Sequence, residues 1–346
     1  MDKQVPNRKY KLSKRPFVSI CTPTFNRRPF IPYMIKCFEH QTYPKDLMEW
    51  IIIDDGTDSI EDLVKHIPQV KYFRYTEKMT LGKKRNVAHD KSSGEVIVYM
   101  DDDDYYPPER VKHAVDILKQ TPSALCAGSS EMHIYFKHIN KMYKFGPYHA
   151  SHATAATFAF KRDLLKQTRY NETACVAEER DFLKAYTIPF VQLETTKTIL
   201  VFSHEHNSFD KKLALNEAPN PFVTPSEKTV DDFIKQPDLK AFYMDQVDEV
   251  LKTYEPGKIE YKPDVTKQLI ELKTKRAKEM EEKQNNFNNL NNEQKVNQLN
   301  GIVNNLLAEN NALKEKLNYY ENKIKQIIQD QIAAKLKATA QEKGKN

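Results

Sequence analysis

The stretch VYMDDDDYYPP, from Val98 to Pro108, places four consecutive aspartates between an apolar run and two prolines. An isolated acidic run of this kind is most often a solvated turn. Carboxylates packed this closely repel one another and resist ionisation unless a cation compensates them. The run therefore has two interpretations: a solvated loop, or a site for a divalent cation that also binds a phosphorylated substrate. An EF-hand calcium loop fits poorly, because Tyr106 stands where the glycine of the sharp turn should be.

The apolar residues around this stretch come in short continuous runs separated by helical spacing. The predicted strands are Phe17–Cys21, Trp50–Ile53, Val70–Tyr75, Val96–Met100 and Thr198–Phe202, and the predicted helices include Phe30–Phe38 and Asn86–Lys91. Unalternated apolar strands separated by helices predict an α/β fold with a mostly parallel sheet that is covered on both faces. Polar residues just past the strand ends of such a sheet line the ligand crevice. Asp54, Asp55 and the aspartate run occupy that position.

Composition restricts the class of protein. The chain has 346 residues and a net charge of +6, which allows about two domains. Its four cysteines lack CxxC spacing, so we expect buried free thiols in a reducing compartment. The basic N-terminus has no apolar core, and no run approaches the ~20 apolar residues of a membrane span. We predict a soluble, cytoplasmic protein without a nucleic-acid module; its richness in Lys, Asn, Ile and Tyr would also suit a viral, AT-rich genome.

Three segments, in this order and spacing, resemble the family 2 glycosyltransferases: VSICTPTFNR (Val18–Arg27), IIIDDGT (Ile51–Thr57) and LGKKRNVA…SSGEVIVYMDDDD (Leu81–Asp104). One segment alone would be weak evidence, but the ordered set is strong, and the resemblance extends over Phe17–Phe209. It implies a GT-A fold, which is Rossmann-like with a mostly parallel central sheet. It also implies Mn²⁺ or Mg²⁺ and a nucleotide-sugar donor, which we expect to be a UDP-sugar. The expected reaction moves a hexosyl or N-acetylhexosaminyl group to a hydroxyl of a glycan or protein.

The resemblance also implies roles for individual residues. The expected contacts of the nucleotide are Pro23, Phe25, Arg27, Asp55, Lys83, Arg85, Asp101 and Asp102. Asp55 would accept a hydrogen bond from the base, whereas Arg85 and Lys83 would reach the phosphates. Asp101, Asp102 and Asp103 match the family's DxD motif, in which Asp101 lies near ribose and metal and Asp103 binds the metal directly. Asp104 is expected to brace the following turn.

The segment AEERDFL, from Ala177 to Leu183, resembles the part of the family that carries the general base. It places Glu179 at the base position, one methylene longer than the usual Asp, and leaves Asp181 as the alternative. Inversion by a single displacement is then expected. The processive-synthase signature QxxRW is absent from the sequence, which argues against a polymerase of the cellulose or chitin type.

A histidine-containing segment, FSHEHNS, follows the last predicted strand, from Phe202 to Ser208. Many relatives carry a His followed by Asn and Ser or Thr near this point, where it completes the metal site. Either His204 or His206 fits, with spacing in favour of His204. Imidazole suits Mn²⁺ better than Ca²⁺.

The C-terminal region carries a heptad pattern over five repeats. Positions a are Val296, Val303, Asn310, Leu317 and Ile324, and positions d are Leu299, Leu306, Leu313, Tyr320 and Ile327. This pattern predicts a coiled coil, and the polar Asn310 at position a favours a parallel, in-register homodimer. Apolar Ile302, Leu307 and Ile328 at e or g positions keep a trimer open. We expect an Asn/Gln-rich hinge from Gln284 to Lys295.

These patterns divide the chain into three parts: a catalytic domain over residues 1–212, a helical extension over 213–262, and a long helix over 263–346 with its coiled coil at 296–334. Two alternative functions stay open. The chain would be a coiled-coil scaffold if its nucleotide-sugar-binding domain were inactive. A nucleotidyltransferase would have a related sheet, but the glycine-rich phosphate loop of that class is missing from the sequence.

Overall fold

The computed structural model describes residues 10–207, 211–212, 215, 220–289 and 292–343. The chain divides into two compact units, Met1–Glu271 and Leu272–Asn346. The family resemblance was expected to extend to Ser208 and Phe209, and the helical extension was expected to begin at Leu213. These three residues lie outside the described ranges.

The first unit contains two sheets. Its strands are β1 (Val18–Thr24), β2 (Met48–Asp54), β3 (Val70–Arg74), β4 (Val96–Tyr99), β5 (Cys126–Gly128), β6 (Met132–Phe136), β7 (Lys141–Phe145), β8 (Ala159–Lys161), β9 (Phe190–Gln192), β10 (Val201–Ser203) and β11 (Val223–Pro225). The main sheet has the order β3-β2-β1-β4-β8-β5-β9, and the smaller sheet has the order β10-β6-β7-β11.

The helices alternate with the first strands and then dominate the end of the chain. They are α1 (Ile31–Glu39), α2 (Glu61–Val64), α3 (Leu81–Lys91), α4 (Arg110–Gln120), α5 (Glu179–Phe182), α6 (Val230–Phe233), α7 (Pro237–Ala241), α8 (Val247–Lys252), α9 (Pro263–Asn289) and α10 (Asn292–Lys343). A π-helical turn, Phe242–Gln246, joins α7 to α8.

Strand direction confirms the predicted α/β fold and refines the sheet. β1 pairs in parallel with both β2 and β4, and β2 pairs in parallel with β3. β8 runs antiparallel to β4 and β5, so the sheet is mixed. Because β1, β2 and β4 are parallel neighbours, the loops that follow them meet at one edge of the sheet.

Both faces of the central strands are buried, which explains their unalternated sequences. Trp50 and Val98 face one core cluster, whereas Ile51, Ile97 and Tyr99 face a second cluster on the opposite side. All four residues of β4 are buried. The strand that leads into the aspartates is therefore a rigid support.

The segment that follows β11 belongs to the same compact unit as the main sheet. Phe233, Phe242, Tyr243, Val247 and Leu251 are buried in the core cluster that includes the central strands. The segment is rich in helix, as the sequence pattern predicts. The first compact unit continues to Glu271, whereas the long C-terminal helix was expected to begin a separate part of the chain at residue 263.

The second unit begins within α9 and contains α10. The C-terminal region is helical at 263–289 and 292–343, and the expected hinge is helical where it is described; residues 290 and 291 are outside the described ranges. Eight predicted a and d side chains, from Val296 to Ile324, are 49–65% exposed in the single chain. Within 296–334, the side chains of residues 298, 327 and 330–334 lie outside the described set.

Among the described residues, every helix is too short or too polar to cross a lipid bilayer.

Candidate active site

The loop after β1 holds Arg27 against the aspartate run. The Arg27 guanidinium lies 3.3 Å from Asp103 Oδ2 and 3.6 Å from Asp102 Oδ1, and it donates to the His206 carbonyl at 2.8 Å. Its side chain is only 5% exposed. Asn26, with a positive φ of 53°, accepts hydrogen bonds from the loop that follows β2 and so joins the two loops. Arg27 thus compensates two carboxylates inside a buried crevice.

Asp55 lies at the carboxyl end of β2 and makes a buried ion pair that the sequence analysis missed. One Asp55 oxygen accepts from Lys84 Nζ, and the other accepts from the Met79 backbone N–H at 2.5 Å. The Lys84 ammonium also lies 5.6 Å from the centroid of the half-buried Phe25 ring. Phe25 and Asp55 therefore both lie near Lys84, and the buried Pro23 of β1 pairs with Ile53 of β2.

Helical spacing distinguishes Lys84 from its neighbour Lys83. Lys84 and Arg85 follow Leu81 by three and four residues on α3 and are buried, whereas Lys83 is exposed. The basic pair therefore has one member that orients Asp55 and one that faces solvent.

Arg85 connects α3 to the acidic run and to the segment before α5. Its Nε donates to Glu178 Oε1 at 3.0 Å, and its Nη2 lies 3.5 Å from Asp101 Oδ2. Its guanidinium carbon is 4.3 Å from the centroid of the Tyr99 ring. Burial opposes its charge, but Asp101 and Glu178 together hold the pKa of Arg85 well above its usual range. Arg85 therefore stays cationic beside the crevice.

Gly82 explains how α3 approaches that segment so closely. A Cβ at this position would lie 2.1 Å from the Asn171 carbonyl oxygen. The Gly82 N–H donates to the Ala174 carbonyl at 2.9 Å. The glycine thus lets the helix that carries Arg85 touch the loop that leads to Glu178.

The four aspartates have different environments. Burial raises the pKa of Asp102 to about 7, although the charge of Arg27 opposes the shift. Burial and the charge of Asp103 hold the pKa of Asp104 well above its usual range. For Asp103, burial is outweighed by Arg27 and by a hydrogen bond with His204, and its pKa is lowered. The pKa of Asp103 is therefore lowered, whereas the pKa values of Asp102 and Asp104 are raised.

His204, and not His206, meets the acidic run. His204 Nε2 lies 3.4 Å from Asp103 Oδ2 and 2.8 Å from Asn207 Nδ2. Burial lowers the pKa of His204 to about 4, so its imidazole is neutral near pH 7. The His206 ring instead lies beside Gly257, where a Cβ would be 2.6 Å from its Nδ1.

The predicted metal ligands are partly gathered. In the part of the chain that the structure describes, no group of three or more His, Cys, Asp or Glu side chains could hold a metal ion. Asp103 and His204 converge, whereas Asp101 turns one oxygen toward Arg85 and leaves its buried Oδ1 without a protein partner among the described residues. A divalent cation held by few protein ligands, with phosphate oxygens completing its shell, fits this arrangement.

The acids around α5 differ in burial. Glu178 immediately precedes the helix, is 5% exposed and is engaged by Arg85. Glu179, the predicted base, is the first residue of α5 and is half-buried, and Asp181 is exposed. Of the two adjacent glutamates, Glu178 is therefore bound to Arg85, and Glu179 is the next carboxylate along the chain.

Comparison with known proteins identifies the part of the chain that carries this site. Residues 19–184 match the family model of Glycosyl transferase family 2. This segment is therefore similar to a family 2 glycosyltransferase domain. The match contains Arg27, Asp55, Arg85, the aspartate run and Glu179, whereas His204 lies beyond it.

Two curated relatives are glycosyltransferases by name. Poly(ribitol-phosphate) beta-N-acetylglucosaminyltransferase TarS from Staphylococcus aureus is 28% identical over 107 residues, which are 30% of this chain and 19% of that one. GalNAc(5)-diNAcBac-PP-undecaprenol beta-1,3-glucosyltransferase from Campylobacter jejuni is 34% identical over 95 residues, 26% of this chain and 30% of that one. The matches thus span less than a third of either relative.

One solved structure is also similar to this chain. It is the mannosyltransferase PcManGT from Pyrobaculum calidifontis in complex with GDP-Man and Mn²⁺, at 15% identity and a TM-score of 0.46. The match covers 68% of this chain and 73% of that one.

Proposed function

We propose that this protein is an inverting, divalent-cation-dependent glycosyltransferase with a GT-A fold. It moves a hexosyl or N-acetylhexosaminyl group from a nucleotide-sugar, in our proposal a UDP-sugar, to a hydroxyl of a glycan or protein. One observation carries the proposal: Arg27 and Asp103, within the family 2 match, converge with His204 from beyond it, and Arg85 meets the adjacent Asp101. The names of the two curated relatives, an N-acetylglucosaminyltransferase and a glucosyltransferase, support the class of sugar.

The nucleotide binds along the edge of the sheet. Pro23 and Phe25 contact the base, and Asp55 accepts a hydrogen bond from it, with its carboxylate oriented by Lys84. Asp101 and Asp102 lie nearest the ribose. The buried cation of Arg85 faces the diphosphate, and the exposed Lys83 supplies an outer contact.

Mn²⁺ or Mg²⁺ would be held by Asp103 and His204, with Asp101 nearby. When bound, the cation stabilises negative charge on the departing diphosphate. The neutral His204 imidazole has a lone pair for this purpose, because its pKa is low. Arg27, which pairs with Asp103 in this structure, then remains as the counter-charge for Asp102.

Glu179 is the proposed general base, with Asp181 as the alternative. Glu178 orients Arg85 through a 3.0 Å hydrogen bond, so the next carboxylate is assigned to the acceptor. Glu179 removes the proton of the acceptor hydroxyl as its oxygen bonds to the anomeric carbon. The bond from that carbon to the diphosphate oxygen breaks at the same time, and the diphosphate leaves with the electron pair, which inverts the anomeric centre.

We further propose that α10 forms a parallel homodimer through residues 296–334. An exposed stripe of a and d side chains along one long helix supports this proposal. The same exposed stripe, together with Glu179 in place of the family's usual Asp at the base position, supports an alternative. In this alternative the chain is a scaffold that binds nucleotide-sugars without turnover.

Turnover of a donor panel distinguishes the enzyme from the scaffold. The full chain would be incubated with UDP-, GDP- and TDP-linked sugars, an acceptor library and Mn²⁺, and released nucleoside diphosphate would be measured. We expect release from at least one donor, stimulation by an acceptor, and loss on addition of EDTA. Donor binding without turnover in any combination would support the scaffold.

A further inference from the structure

A segment beyond the family 2 domain, residues 254–268, contacts the loops of the site in several places. We call it the strap. Asn26 Nδ2 donates to the Pro256 carbonyl at 2.9 Å, and Tyr254 OH donates to Asp58 Oδ2 at 2.9 Å. The Cys175 N–H donates to Gln268 Oε1 at 2.8 Å, and Gln268 Nε2 donates to the Thr173 carbonyl at 2.6 Å. The strap therefore joins the loops after β1 and β2 to the loop that precedes Glu178.

Gly257 permits the close approach of the strap. A Cβ there would lie 2.6 Å from His206 Nδ1 and 3.0 Å from the Asn26 carbonyl oxygen. Arg27 Nη1 also contacts the Gly257 carbonyl at 3.4 Å. The strap backbone is thus part of the wall against which Arg27 and the histidine segment are held.

The strap places one lysine inside this wall. Lys262 is only 4% exposed, and its Nζ lies 3.4 Å from the His206 carbonyl oxygen. Arg27 donates to the same oxygen while its Nη2 lies 3.3 Å from Asp103. The Lys262 ammonium consequently stands at the cation and phosphate end of the crevice.

The charges around Lys262 favour an anion there. Burial and the charge of Arg27 oppose the ammonium form, whereas the carboxylates of Asp103 and Asp102 favour it. A lysine is a compact, mobile point charge that suits phosphate oxygens. A diphosphate that enters beside Asp103 would lie near both Arg27 and Lys262, which share the His206 carbonyl as a partner.

We propose that Lys262 is a donor-binding residue that contacts the diphosphate, and that the strap completes the donor site of the family 2 domain. This inference rests on the proposed function. It adds a diphosphate contact from a part of the chain that the family match does not cover. The strap also connects the donor site to the loop before Glu178 through Gln268.

The test compares Lys262→Gln with Lys267→Gln, which changes an exposed lysine on the same strap. Calorimetry would give the Kd of the full-length variants for UDP, GDP and uridine with Mn²⁺ present. We expect Lys262→Gln to raise the Kd of the preferred diphosphate about 10- to 100-fold, because a charge-assisted contact is lost. Uridine binding should be unchanged, and Lys267→Gln should match wild type throughout.

The possible results separate the two proposals. If the wild-type chain binds neither UDP nor GDP, the proposed donor site fails, and the role of Lys262 fails with it. If wild type binds a diphosphate and folded Lys262→Gln binds it equally well, the role of Lys262 alone is wrong.

A measurement on the wild-type chain covers the case in which Lys262→Gln does not fold. Hydrogen exchange of peptides from 254–268 would be followed with the preferred diphosphate and with its nucleoside. We expect protection with the diphosphate and little with the nucleoside. Equal exchange in both would overturn the inference.

Discussion

Four adjacent aspartates acquire four roles from their neighbours. Asp103 is ionised between Arg27 and His204, and Asp101 faces Arg85. Asp102 lies near Arg27, and the Asp104 backbone carbonyl accepts from Tyr243 OH at 2.9 Å. A repulsive run becomes tolerable because fixed cations reach three of its members: Arg85 lies near Asp101, and Arg27 lies near Asp102 and Asp103.

Replacing Asp103 tests the cation site at the level of one residue. Asp103→Ala should abolish metal-dependent donor binding, because it removes the ionised carboxylate that meets His204. Asp116→Asn, on the solvent side of α4, is the matched control and should bind like wild type. Calorimetric titration of the donor with and without Mn²⁺ measures both, and unchanged binding by Asp103→Ala would contradict the metal assignment.

Two adjacent glutamates can be separated by their kinetics. Glu179→Gln should spare donor binding within about twofold and lower kcat by roughly 10²–10⁴-fold, the usual effect of losing a general base. Glu178→Gln should instead weaken donor binding, because Arg85 loses an ionised partner at 3.0 Å. Initial rates and donor Kd values are the readouts.

The fallback base provides the control for that pair. Asp181 is exposed, so Asp181→Asn should retain near-normal kcat. If Glu179→Gln were fully active and Asp181→Asn were inactive, the general base would be Asp181 and not Glu179.

At the scale of elements, helix α3 sets the positions of two basic groups, one on each side of the crevice. Lys84 engages Asp55, and Arg85 engages Asp101 and Glu178. Gly82 allows the helix to approach the loop before α5. One helix therefore engages acidic residues that follow β2 and β4, the two strands on either side of β1.

Breaking the buried ion pair of α3 should destabilise the domain. Lys84→Met leaves Asp55 buried without its counter-charge, and we expect the free energy of unfolding to fall by about 3–5 kcal/mol. The double variant Asp55→Leu/Lys84→Met should recover much of that loss and still bind nucleotide poorly. Urea unfolding and nucleotide titration test this, and equal stability of Lys84→Met and wild type would contradict it.

The central strands could be predicted from sequence because both of their faces are buried. The run Trp50–Ile53 lies within β2, and Val96–Met100 matches β4 to within one residue. The antiparallel β8 was harder to foresee, because its three residues carry no periodic signal. Its pairing with β4 depends on contacts that are distant along the chain.

Site residues could be predicted from the sequence where a motif directly follows a strand. They could not be predicted where segments that are distant along the chain come together. Asp55 and the aspartate run follow the ends of β2 and β4, as the sequence pattern indicates, whereas Arg85 reaches Asp101 from α3. Lys84 could have been separated from Lys83 by its helical distance from Leu81. Lys262 had no such signal, because its position depends on the return of the strap to the histidine segment.

At the scale of the whole molecule, the second unit carries the exposed apolar stripe of a and d side chains. The residues to which we assign a role in the reaction all lie in the first unit. Leu306 and Leu313 are 59% and 65% exposed in the single chain. Burying each leucine against a second chain would contribute about 1.5–3 kcal/mol. Exposure of this size is explained if the stripe is an interface between copies.

Leu306→Glu should convert a dimer into a monomer, because it places a charge in the proposed seam at position d. Glu315→Gln, at the outward position f, should leave the dimer intact. Sedimentation equilibrium measures the mass of each. A monomeric wild type would contradict the homodimer. A trimeric wild type would show that the stripe forms the three-stranded coiled coil that the apolar e and g positions allow.

The central claim is that the end of β4 holds a nucleoside diphosphate and a divalent cation. A crystal of the full chain soaked with UDP or GDP and MnCl₂, measured at the manganese edge, tests it most directly. We predict an anomalous peak in contact with Asp103 and His204, with the diphosphate between the cation and Arg85. A nucleotide bound without manganese at Asp103, or manganese bound elsewhere, would contradict the claim.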